Sequence, residues 1–202
     1  HTEVGDIVFA IGNPLGVGIT VTQGIVSATG RAIGIYGEEG YEDFIQTDAS
    51  INMGNSGGAL VDIKGRLVGI NSAIASRTGG FQGIGFAVPV NIAEKVMTSL
   101  IEHGRVIRGF LGVIPQDIDP NMAKALGLEK RGGVLLADVS EDTPAEEYGL
   151  KAGDVIIRMN GIRVKNQANF RVMIASLMPD EKVEFDLIRE GEEKTITVTI
   201  GE

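Results

Sequence analysis

Ser56 stands between glycines in Gly54-Asn55-Ser56-Gly57-Gly58, behind Thr47-Asp48-Ala49-Ser50-Ile51-Asn52-Met53. A serine hydroxyl held clear of its neighbours can attack a carbonyl carbon if two backbone N–H groups meet the oxyanion that forms. The spacing predicts a tight turn whose glycines remove side chains where another backbone approaches. The amides of Gly54 and Ser56 are then the two donors. The run Ala59-Leu60-Val61 follows as a buried strand. The bland alternative is a glycine-rich hairpin that happens to hold a serine.

Such a nucleophile needs a base, and the base an orienting group. The chain has two histidines. His1 is terminal and His103 closes a predicted helix. Asp48 and Asp62 lie near Ser56 in sequence. No group in the chain has a pattern that marks it as the base.

Bulk properties narrow the classes. The 202 residues suffice for one large or two small domains, and 43% are hydrophobic, enough for a packed core. A net charge of −9 without a basic run argues against nucleic acid as a partner. There is no Cys, so neither disulfides nor a thiol nucleophile. No stretch is long and apolar enough to span a membrane. Gly16-Val17-Gly18 lacks the Gly-Lys-Ser/Thr of a phosphate loop, and no cofactor or metal is expected. Of 29 glycines, 19 fall in residues 1–106. The first part therefore reads as tightly turning β structure, the second as a mixed domain.

Val4 to Ile11 reads as a strand closed by Gly12-Asn13-Pro14, and Ile19 to Ala28 as a second. Arg31 to Asp43 is polar and glycine-rich, a surface loop. Lys64-Gly65 turns a hairpin between Ala59–Asp62 and Arg66–Asn71. Ser72-Ala73-Ile74 lies beyond that second strand, and Gly83 to Pro89 forms another. Asn91 with Glu94 fits a capping box for a helix that Gly104 ends.

Gly-Asn-Ser-Gly-Gly resembles the nucleophile motif of trypsin-like serine proteases. Thr-Asp-Ala-Ser-Ile-Asn in front of it resembles the HtrA/Deg proteases of protein quality control, as does Ala-Ile-Gly-Asn-Pro-Leu-Gly followed by Val-Thr-Gln-Gly-Ile-Val-Ser-Ala-Thr-Gly-Arg. The resemblance implies Ser56 as nucleophile, Ser50 at the base of the specificity pocket, and Ile51 and Ile74 narrowing it. A small aliphatic residue such as Val or Ala would then fit; for both isoleucines, ordinary core is the alternative. The resemblance also makes Ser72 and Ala73 the strand along which a substrate lies, and places Arg31 in a loop that senses activating signals. A solvated loop with a structural arginine is the other reading.

Residues 107–202 open with Arg108-Gly109-Phe110-Leu111-Gly112-Val113 after a short linker. Asp119-Pro120 starts a short helix that Gly127 ends. Val134–Val139 is a strand. Thr143 to Glu146 is a second capping box. Ala152 to Gly161 is a strand running to an Asn-Gly turn. Gln167–Met178 is helical, with Phe170, Met173, Ile174 and Leu177 on one face. Two alternating strands finish the chain. Gly-Leu-Lys-Ala-Gly-Asp-Val-Ile…Asn-Gly is similar to a bacterial PDZ domain. That likeness makes Gly109-Phe110-Leu111-Gly112 the loop for a peptide's C-terminal carboxylate, with Phe110, Leu111, Val113, Phe170 and Met173 as apolar walls. Consecutive amides can bind an anion, and an open strand edge beside a helix can accept an extended peptide.

The expectation is thus a mostly β chain with some α: residues 1–106 as the second barrel of a trypsin-like domain with its closing helix, 107–202 as a PDZ domain. In that family the catalytic His and Asp lie upstream of the serine, so the chain is expected to be a fragment lacking the first barrel and inactive alone. The parent would be an ATP-independent, periplasmic or otherwise exported bacterial endoprotease, acting as a homo-oligomer, a trimer or multiples, on unfolded proteins. A peptide-binding module or pseudoprotease adaptor is the competing reading.

Overall fold

The computed structural model describes residues 2–35, 37, 40–76, 78–125, 128 and 132–202, excluding the side chain of residue 125. His1 and Gly127 therefore lie outside the described residues. The chain forms two compact units, one ending at Gly104 and the other beginning at Arg105. Mostly β structure, as expected, it holds a closed barrel and a separate sheet.

In the first unit β1 (Ile7–Gly12), β2 (Thr20–Arg31), β3 (Phe44–Thr47), β4 (Ala59–Asp62), β5 (Leu67–Ile74) and β6 (Gly85–Pro89) close in the order β1-β2-β3-β6-β5-β4. All neighbouring pairs are antiparallel. Alternation drives the closure. Val8 and Ala10 of β1, Val26 of β2, Leu60 of β4 and Ala87 of β6 point inward and share one buried cluster. Leu15, Val17, Ile19 and Val21, by contrast, form an exposed apolar stretch from the Pro14 turn into β2.

Helix α1 (Val90–His103) follows without a break. Here the expected capping box does not form. Pro89 still pairs with Gly69 in the barrel and itself occupies the cap position, so Asn91 already lies in the first turn. The other end is as expected, with Gly104 left-handed at φ 70° and its amide bonded to the Leu100 carbonyl. The segment beyond Asn71 also differs from expectation, because β5 runs on through Ile74.

The second unit contains β7 (Val113–Asp117), α2 (Pro120–Ala125), β8 (Val134–Val139), α3 (Pro144–Glu147), β9 (Val155–Met159), β10 (Ile162–Arg163), α4 (Gln167–Ala175), β11 (Lys182–Arg189) and β12 (Glu192–Thr199). Its sheet has the order β12-β11-β9-β8-β7, with β10 paired to β9. Val134, Ile156, Phe170, Phe185 and Leu187 are among the side chains filling its core. Asp119 caps α2, accepting from the amides of Asn121 and Met122. Asn166 caps α4 through the Asn169 amide. That helix ends at Ala175, short of the predicted Met178. At α3 the capping box is displaced. Thr143 donates to the Ser140 carbonyl, and Glu146 reaches back to the Asp142 amide instead.

Candidate active site and peptide-binding edge

The loop between β3 and β4 carries Ser56, and contacts on three sides fix it. Gly54 has φ 98° and lies against the Asn13 backbone; a Cβ there would sit 2.2 Å from the Asn13 carbonyl oxygen. The Leu15 amide donates to the Met53 carbonyl at 2.8 Å. Gly57 has φ 85°, a conformation that costs an L side chain about 1–2 kcal/mol. Gly58 packs on β1. Its amide donates to the Asn55 carbonyl, and a Cβ would meet the Ile11 carbonyl oxygen at 2.1 Å. Gly58→Ala is therefore expected to destabilise the barrel by about 1–3 kcal/mol or more, read as a lower denaturant midpoint.

Asn71 of β5 is the hub that the sequence did not reveal. Its backbone N–H donates to the Gly58 carbonyl and its C=O accepts from Gly57, both at 2.8 Å. Its side-chain amide donates to the carbonyls of Ile11 and Ala59. One residue thus ties the serine loop to β1 and β4. The available signal was a lone polar residue at the end of the apolar run Leu67-Val68-Gly69-Ile70. Asn52 adds a tie to the loop before β6, accepting from the Phe81 amide.

Ser56 is exposed. Its hydroxyl donates to the carbonyl of Ser72 at 3.0 Å. A register shift between Asn71 and Ala73 leaves Ser72 as the extra residue of β5, and such bulges re-aim backbone groups. The Ser72 carbonyl is thereby presented to the serine loop. The amides of Gly54 and Ser56 donate to no group among the described residues. A hydroxyl with two unengaged amides in the same loop is the equipment of acyl transfer.

The nearby acids are otherwise occupied. Asp48 accepts from the Ile25 amide at 2.7 Å and holds β2 to the serine loop. Asp62 accepts from the amides of Lys64 and Arg66 and from the Arg66 guanidinium. The Arg66 amide, foremost, holds its carboxyl below the usual carboxylate range. His103 faces Glu102 at the end of α1.

The residues named for a pocket divide. Ser50 accepts at its carbonyl from the Thr22 hydroxyl and the Asn55 side chain. Ile51 is 1% exposed within the barrel core, directly under Gly85, and Ile74 packs half-buried against that core. Ala73 is half-buried and pairs with Phe86. Arg31 is the last residue of β2, paired with Phe44, rather than a loop residue, and its guanidinium donates to the Gln46 side chain. The loop beyond it is organised by buried Glu42, which accepts from the amides of Ile33 and Gly34.

In the second unit β7 is an edge strand with α4 packed beside it. The preceding turn has little freedom. A Cβ on Gly109 would press on the Ile174 carbonyl at 2.6 Å, and one on Gly112, at φ 85°, would overlap Thr143. Phe110 exchanges both backbone bonds with Gly201. The amides of Leu111 and Gly112 donate to nothing among the described residues. Leu111 and Phe170 lie wholly within the core, so of the five predicted apolar walls only Phe110, Val113 and Met173 keep accessible surface.

A closed antiparallel barrel carrying a serine on such a loop is a trypsin-like peptidase barrel, and a sheet whose open edge lies beside a helix is a PDZ domain. Family patterns agree: a trypsin-like peptidase domain matches residues 1–70 and a PDZ domain residues 109–200. A probable periplasmic serine endoprotease, DegP-like, of Ectopseudomonas mendocina is 46% identical over 199 residues, covering 98% of this chain. A protein of the same name from Chlamydia pneumoniae is 46% identical over 202 residues. The chain spans about 41% of the length of these curated relatives. Among solved structures, an HtrA-type protease AlgW with tripeptide is similar at TM-score 0.77 and 48% identity, over 99% of this chain and 66% of that one. The serine endoprotease from Yersinia pestis gives TM-score 0.60 and 40% identity, over 100% of this chain and 64% of that one. The chain belongs to the HtrA/Deg family of trypsin-like serine proteases with PDZ domains.

Proposed function

We propose that this chain is part of a serine endoprotease that cleaves unfolded or misfolded proteins without ATP in the bacterial periplasm, where its relatives are named. The observation that carries the reading is the exposed Ser56 hydroxyl beside the unengaged amides of Gly54 and Ser56. Ser56 Oγ adds to a peptide carbonyl as its proton passes to a base, and the two amides receive the oxyanion. The C–N bond then breaks, the amine leaves with that proton, and water hydrolyses the acyl ester. The Ser72 carbonyl, now bonded to the hydroxyl, would accept an N–H of substrate lying along Ser72 and Ala73. Ser50 and Ile74 would bound a small aliphatic pocket over the buried Ile51, and Arg31 would transmit the state of the loop beyond it.

The base would come from outside these 202 residues. The exposed stretch from Leu15 to Val21 supports this, because it offers an apolar face for further polypeptide. The longer protein would act as a homo-oligomer. Residues 107–202 would bind apolar C-termini, the carboxylate meeting the Leu111 and Gly112 amides, with Phe110, Val113 and Met173 against the last side chain over the Leu111–Phe170 core.

A fluorophosphonate probe reports an activated serine. The 202-residue chain is expected to remain unlabelled, because its hydroxyl has a carbonyl partner and, among the described residues, no base. The longer protein is expected to label at Ser56. Stoichiometric labelling of the short chain would overturn the account of the base. Absence of labelling in the longer protein would favour the adaptor reading.

A further inference from the structure

Pro115 lies in β7 at the place where an added strand would look for a donor. Two sets of hydrogen bonds fix which way the strand faces. The Ser140 amide donates to the Gly112 carbonyl at 2.9 Å, so Val113 and Val139 form a pair without mutual hydrogen bonds. The N–H and C=O of Val113 therefore point away from β8, to the open edge. Opposite Pro115 is Leu136. Its N–H goes to the Asp154 carbonyl and its C=O takes the Gly153 amide, both at 2.8 Å. Leu136 thus bonds toward β9, and Pro115 also faces the open edge. The register shift in this ladder skips Ala137 of β8, so β7 itself keeps its alternation.

A peptide whose carboxylate sits at the Gly109–Gly112 turn must run antiparallel to β7. Its last residue lies at Val113, and its third from last at Pro115. An antiparallel rung exchanges two bonds. At Pro115 only one survives, from the peptide N–H to the Pro115 carbonyl; the peptide carbonyl finds no N–H. We propose that Pro115 interrupts strand addition at this rung and makes the unit a reader of short C-termini. The carboxylate and last side chain set affinity, and residues beyond the third from the end add little. The same missing donor protects the edge against pairing with a foreign strand. The inference rests on the reading that this unit binds C-termini.

The test is a titration of the 202-residue chain with peptides of two, three, five and eight residues ending in valine, each with free and amidated C-terminus. Affinity should rise through three residues and change less than about threefold from three to eight. Pro115→Val restores an N–H in a strand-compatible residue of similar bulk. It should tighten the five- and eight-residue peptides about 3–10-fold, the worth of one hydrogen bond, and leave the two-residue peptide unchanged. A second arm does not depend on the variant. An ester between the third- and second-from-last residues weakens the carbonyl concerned; it should cost the wild-type chain less than twofold and the variant several-fold. A several-fold ester penalty in the wild type, or no tightening in a folded Pro115→Val chain, overturns the role of Pro115. Amidation without effect would overturn the C-terminus reading itself.

Discussion

Ser56→Ala in the longer protein is expected to reduce cleavage of an unfolded substrate by at least about 10⁴-fold, to the background left by binding and the oxyanion amides. Among the described residues the acids nearest Ser56 in sequence are held elsewhere and cannot replace that oxygen. Asp48 is held by the Ile25 amide, and Asp62 by its own hairpin. Folding should be nearly unaffected, because Ser56 is exposed and its side chain makes one bond, to the Ser72 carbonyl. An exposed hydrogen bond of this kind contributes about 1 kcal/mol at most. The thermal midpoint and the turnover of a denatured protein, measured together, separate the two effects. Retained turnover in a folded Ser56→Ala protein would remove Ser56 from the chemistry.

Arg189→Met is expected to destabilise the second unit by about 3–5 kcal/mol, the usual consequence of leaving one charge of a buried pair alone. Asp154 is the group left behind, its side chain 1% exposed. Arg189 Nε donates to one carboxylate oxygen at 2.6 Å, and Nη2 to the other at 2.7 Å and to the Gly149 carbonyl at 2.8 Å. The bonds to Asp154, above all, raise the arginine's pKa. The Lys151 amide completes the set on Asp154. These bonds pin the end of β11 to the turn before β9. Arg189→Met with Asp154→Leu should regain part of the loss, because no unpaired charge remains. Denaturant unfolding of the 202-residue chain reads both. A double variant as unstable as Arg189→Met would show that the pair's role is hydrogen-bonding geometry rather than charge balance.

Local signals were legible where one residue decides one conformation. Asp119 caps its helix as its side chain predicts, because an Asx oxygen needs only amides two or three residues on. Asn166, which no sequence expectation singled out, caps α4 by the same bond. The Lys64-Gly65 hairpin and the Asn160-Gly161 turn form for the same reason, with φ 75° at Gly65 and 49° at Asn160. Two capping boxes misled. At Asn91 the barrel held Pro89 as its last rung, and at Thr143 the hydroxyl found the Ser140 carbonyl first. In both, a tertiary or turn contact outcompeted a helix-end bond of similar strength.

Gly54-Asn55-Ser56-Gly57-Gly58 and the Gly109–Gly112 turn by themselves determined where chemistry and binding are to be sought, since few other sequences tolerate such backbone. Tertiary structure alone decided what each glycine is for. Gly58 is small because of Ile11, 47 positions away, and Gly112 because of Thr143. It also turned the Ser72 carbonyl onto Ser56, joined Asn71 to three segments, and paired Arg189 with Asp154. Pro115 shows the division most plainly. The sequence states that a donor is missing, but only the register with Leu136 shows that it is missing from the open edge. Such facts depend on which distant strand becomes a neighbour, and periodicity along one strand carries no record of its partner.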